Sequence, residues 1–111
     1  MTSLTDLTIP LSALEFESET RAVATAEAWT TFQIGVLLQT VIESTAQGLL
    51  ESGSLQTVSA TFDVSANATA GSQMQFESRI DRKTRTLVFA SGIAQQGERH
   101  LLKATVVFRI E

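Results

Sequence analysis

The sequence predicts an α+β fold in which one long central helix is wrapped by a strongly curved antiparallel sheet of five or six strands. Three observations carry that expectation. Apolar residues recur at three- and four-residue spacing across residues 32–51, and from Gly53 onward the apolar period drops to two. The alternating segments are then separated by turns too short for parallel crossovers.

With 111 residues, 43% of them hydrophobic and 18% charged, the chain has material for one packed core. A single domain over residues 1–111 is expected, with residues 1–11 as a loosely held lead-in around Pro10, the only proline. Residues 15–27 alternate for much of their length, with Phe16, Ala22, Ala24 and Ala26 on one parity, which predicts a strand or hairpin. In the helix, Ile34, Leu37, Leu38, Val41, Ile42, Ala46 and Leu49 form one stripe. Thr30 or Thr31 is positioned to cap its start, and Gly53 to stop it.

Beyond the helix, Val58, Ala60, Phe62, Val64 and Ala66 alternate with polar residues and predict a strand with one buried face. Met74, Phe76 and Ile80 repeat the pattern. Two more strands follow, over residues 86–94 and 101–110, with turns at 67–71, 82–85 and 95–99.

The composition also excludes classes of function. The longest run without a charge, residues 28–42, is 15 residues and includes threonine and glutamine, whereas a bilayer span needs roughly 20 apolar residues. No membrane association is expected. The start of the chain lacks a basic segment followed by an apolar run, so no secretory signal is expected and the predicted location is cytoplasmic. There is no cysteine, which removes disulfides and thiolate chemistry, and the single histidine, His100, cannot build a multi-histidine metal site. No metal is predicted, and His100 reads as a surface or turn residue. The serines lack the context of a nucleophile elbow. Asp63 falls on the polar parity of its strand, and Trp29 reads as an anchor at the corner before the helix.

The net charge of −4 argues against nucleic-acid binding. Its distribution is uneven. Residues 1–78 carry one basic and nine acidic side chains, whereas residues 79–111 carry seven basic and three acidic ones. A polyanionic ligand is expected at the C-terminal third, where Arg82, Lys83 and Arg85 cluster near a predicted hairpin tip.

Three passages carry a family resemblance over residues 15–110: QIGVLLQTVIES at the helix start, VSATFDVSANATAGSQMQFES, and RIDRKTRTLVFASGIAQQGERHLLKATVVFRI. The pattern of elements resembles the hotdog-fold thioesterase superfamily, particularly its phenylacetate-pathway and 4-hydroxybenzoyl-CoA branch. In that family the helix often opens with a His-Gly-Gly motif and carries an acidic residue eight positions after the first glycine, a spacing that Gly35 and Glu43 reproduce. The resemblance implies acyl-CoA thioester hydrolysis, with the Gly35 backbone N–H polarising the carbonyl and Glu43 as nucleophile or general base. Arg82, Lys83 and Arg85 are then the candidates for the coenzyme A phosphates. It implies coenzyme A as part of the substrate, with no further cofactor, and a homodimer or dimer of dimers.

Departures from the family pattern are equally specific. Aligned on Gly35, Ile34 stands in place of the histidine, Val36 in place of the second glycine, and Ala28 where many members have asparagine or aspartate. On a helical wheel Glu43 points away from the apolar stripe, on the side of Val36, Gln39, Gln47 and Leu50. The alternative is therefore a non-catalytic hotdog domain that binds acyl-CoA or serves as an assembly module. A dehydratase is a weaker option, because its histidine belongs on the central helix. Cystatin-like folds share the coarse topology.

Overall fold

A computed structural model describes residues 8–111. After a 3₁₀ turn at Leu11–Ala13, the chain forms β1 (Glu15–Phe16), β2 (Arg21–Thr25), α1 (Thr31–Gln47), β3 (Leu55–Val64), β4 (Gln73–Lys83), β5 (Leu87–Gln96) and β6 (Arg99–Ile110). The strands make one antiparallel sheet in the order β1-β2-β4-β5-β6-β3. The helix lies chiefly across β4 and β5, with lesser contact to β6 and β3.

Local chemistry fixes the start of α1. The Gln33 N–H donates to the Thr30 hydroxyl at 3.2 Å, and the Gln33 side chain accepts from the Thr30 N–H at 2.8 Å, a complete capping box. Gln33 also donates to the Thr8 carbonyl at 2.8 Å, which ties that end of the expected lead-in to the helix. The rest of the lead-in, residues 1–7, lies outside the described residues.

Ile34, Leu37, Leu38, Val41, Ile42 and Ala46 are buried against Met74, Phe76, Val88, Ala90 and Phe108. At Gly92 the helix comes so close that an added Cβ would stand 2.9 Å from Ile42 and 2.8 Å from the Glu77 carbonyl. A polar clasp joins the other end of the helix to the sheet and to the β1–β2 turn. Ser78 Oγ donates to Thr45 Oγ1 at 2.5 Å, and Thr45 donates to the Glu19 carbonyl at 2.6 Å.

Two sequence expectations are corrected on the helix side. The helix ends at Gln47 with Gly48 as its cap, not at residue 51. The Glu19 carboxylate, from the β1–β2 turn, lies next to Gly48, 2.6 Å from where a Cβ would sit. Leu49 consequently leaves the apolar stripe and is exposed. Gly53 serves a different purpose: its φ of 91° turns the chain into β3 beside the Glu111 carbonyl.

Two further corrections concern the edge strands. Phe16, expected on the inward parity of residues 15–27, is exposed because β1 is a two-residue edge strand paired only with β2. The β3 strand was expected to bury one face, yet every residue after Leu55 is exposed along it. It is the opposite edge of the sheet, and a bulge between Thr57 and Ser59 breaks its parity. Val58, Phe62 and Val64 thus remain open to their surroundings. Trp29 is partly buried against the core at the strand-to-helix corner, as expected.

Candidate active site

The start of α1 is electrostatically positive and chemically unsaturated. No acidic residue stands in its first turn, so nothing offsets the partial positive charge of the helix N-terminus. The cap occupies the N–H groups of Thr30 and Gln33, and the Ile34 N–H reaches the Thr30 carbonyl at 3.1 Å. The Thr31 and Phe32 N–H groups have no partner among the described residues. In a regular α-helix the Gly35 N–H is directed at the Thr31 carbonyl. Gly35 therefore offers bare backbone without a free donor, and the unpartnered donors at this helix end are the Thr31 and Phe32 N–H groups.

An apolar cavity of about 270 Å³ lies against this helix start. Phe32, Gly35, Val36, Gln39, Phe62 and Leu102 line it, with Thr31 at its rim. It exists because Gly35 has no side chain and because β3 is not covered by the helix. A Cβ on Gly35 would meet the Phe62 ring at 3.5 Å and Leu102 at 3.8 Å. Phe32 is 57% exposed and Phe62 37%, so one flank of the cavity is open in the single chain.

Gly35, Gln39 and Glu43 form a ridge at four-residue spacing. Glu43 is exposed and makes no ion pair or hydrogen bond among the described residues. Eight residues of helix, about 12 Å, separate it from Gly35 along the axis. One chain by itself does not bring the two groups onto a common atom.

The basic candidates lie farther away. Arg82, Lys83 and Arg85 are exposed at the β4–β5 turn, with the Arg82 guanidinium 5.8 Å from the centre of the Phe89 ring. Lys83 pairs with Val88, whereas Leu102 beside Gly35 pairs with Ala94. Six residues of β5 between them span about 20 Å. The three residues lie together at that turn, but the sheet carries them to the end opposite Gly35.

Sequence reasoning missed the cavity wall. Phe62 was read as a residue on the buried parity of its strand and Leu102 only as part of the last strand, and nothing local signals that they meet at Gly35. A second cavity, of about 470 Å³, lies on the other face of the sheet, where Asp63, Arg79, Ser91, Ile93, His100 and Lys103 contribute to it. Both His100 and Asp63 are exposed there. Among the described residues no group of three or more potential metal-ligating side chains exists, and no helix is long and apolar enough to cross a membrane.

No protein-family model matches the sequence, and a search of curated proteins finds no match. Solved structures do match. S. sahachiroi AziG superposes with a TM-score of 0.76 at 19% identity, covering 90% of this chain and 91% of its own. A phenylacetic acid degradation-related protein of Ralstonia eutropha JMP134, described as a thioesterase candidate, gives 0.74 at 18% identity, covering 95% and 93%. The chain has the hotdog fold. A protein of Bacillus halodurans crystallised with CoA gives 0.76 at 10% identity, covering 88% of this chain and 71% of that one. The expected architecture, a helix on a curved antiparallel sheet that here has six strands, therefore agrees with the structural neighbours.

Proposed function

We propose that the protein hydrolyses an acyl-CoA thioester in the cavity at the start of α1. The observation that carries this reading is the meeting of an apolar, acyl-sized space with unshared N–H groups at a positive helix end. The acyl group lies between Phe32, Val36, Phe62 and Leu102. The carbonyl oxygen faces the bare backbone at the Gly35 turn and is polarised by the unpartnered N–H groups of Thr31 and Phe32 at the positive helix end. Developing negative charge on that oxygen is stabilised there more than in the ground state, which is the requirement for catalysis.

Glu43 is the group proposed to attack the carbonyl carbon or to take a proton from water. Its 12 Å axial offset from Gly35 supports an assembly in which one copy's Glu43 serves the other copy's helix start. The same assembly covers Phe32, Phe62 and Val64, which are large apolar side chains left exposed in the single chain. A homodimer or dimer of dimers is therefore part of this reading. Arg82, Lys83 and Arg85 are proposed to hold the phosphates of coenzyme A, through the fork geometry of arginine and the point charge of lysine.

A non-catalytic acyl-CoA-binding module is the second reading, and one observation favours it: no titratable side chain lines the cavity among the described residues. Release of free thiol from short, medium, long and aromatic acyl-CoA thioesters separates the two. Hydrolysis that disappears in Glu43→Ala supports the enzyme. Saturable binding without thiol release supports the module, and equal turnover by both proteins removes Glu43 from the reaction.

A further inference from the structure

The cavity wall contains one residue whose chemistry does not match the rest. Gln39 stands one turn beyond Gly35, about 6 Å along the helix axis, among Phe32, Val36, Phe62 and Leu102. Its amide makes no hydrogen bond among the described residues, whereas the other two helix glutamines, Gln33 and Gln47, both donate to backbone carbonyls. Side chains on a helix lean toward its N-terminus, and Gln39 lines the same cavity as Gly35.

A plain alkyl group filling this cavity would take water away from the amide and return nothing. Burying an amide without a partner opposes binding, while an oxygen on the ligand restores the lost hydrogen bond. We infer that the cavity selects acyl groups carrying a hydroxyl or keto oxygen close to the thioester carbonyl, and that Gln39 reads that oxygen. An amide both donates and accepts, so it serves a hydroxyl in either sense and a keto oxygen as donor. This inference rests on the acyl-CoA reading of the same cavity.

Butanoyl-CoA and 3-hydroxybutanoyl-CoA are matched probes that differ by one hydroxyl. Thiol release and calorimetric binding are measured for both, on the wild-type protein and on Gln39→Met, which keeps the length of the side chain without its amide. The wild type is expected to favour the hydroxylated thioester by roughly tenfold, the scale of one hydrogen bond, and Gln39→Met to treat the two about equally. The same ratio in both proteins overturns the role of Gln39 while leaving the thioesterase reading intact. Tenfold tighter binding of the hydroxylated probe with no thiol release from either supports Gln39 and removes hydrolysis. Binding of neither probe overturns both.

Discussion

The Phe62 ring lies 3.5 Å from the point where a side chain on Gly35 would begin. That distance is ordinary van der Waals contact, so an alanine fits there without displacing the ring. Gly35→Ala is therefore expected to stabilise the fold by about 0.5–1 kcal/mol, because alanine has the higher helix propensity. The same methyl group covers backbone that the carbonyl needs. Thermal melting is expected to shift upward by a few degrees while thioester turnover falls, and a lower melting temperature would contradict the packing described.

Gly92 is the opposite case. A Cβ there would meet the Glu77 carbonyl at 2.8 Å and Ile42 at 2.9 Å, with backbone on one side and the fully buried helix contact on the other. Gly92→Ala is expected to cost about 1–3 kcal/mol by forcing α1 away from β5. Urea unfolding checks this, and an unchanged midpoint would show that the helix has room to shift.

How much of this was readable in the sequence depends on the range of the interaction. The Thr30–Gln33 capping box is local, and so is the stripe from Ile34 to Ala46, so the helix start and its buried face were legible. The end of the helix was not, because the apolar spacing continues to Leu49 while the helix itself stops at Gln47. Alternation in β3 reported that Phe62 and Val64 share a side. Whether anything covers that side depends on β3 being an edge strand, which follows from the pairing order of the sheet. The Gly35–Glu43 spacing was legible as a pattern, but the distance from Gly35 to Arg82, Lys83 and Arg85 belongs to strand register.

Thr45→Val tests the polar clasp between helix and sheet. It keeps the side chain's shape but leaves the Ser78 hydroxyl and the Glu19 carbonyl without their shared partner. The expected loss is about 1–3 kcal/mol. Hydrogen exchange of the amides around residues 18–20 is expected to accelerate in parallel, and unchanged protection would separate the clasp from the stability of that turn.

The uncovered edge predicts assembly. Val64→Asp puts a charge on an exposed β3 side chain in one chain, so the isolated fold is expected to keep its melting behaviour. In a dimer that covers this face, the same charge is buried without a partner. Sedimentation is expected to show a dimer for the wild type and a monomer for the variant. A wild-type monomer would remove the shared-site arrangement.

Neutralising Arg82, Lys83 and Arg85 together is expected to raise KM for acyl-CoA and to flatten its dependence on salt, with kcat little changed. Loss confined to kcat would assign the patch to something other than phosphate binding.

The most direct measurement is a crystal structure with an acyl-CoA analogue in which a methylene replaces the thioester sulfur, so that the carbonyl persists. The account predicts the carbonyl oxygen within hydrogen-bonding distance of the backbone N–H groups at the start of α1, the acyl group against Phe62 and Leu102, and a Glu43 carboxylate beside the carbonyl carbon. An analogue seated instead in the cavity on the opposite face of the sheet, beside His100 and Lys103, would contradict it.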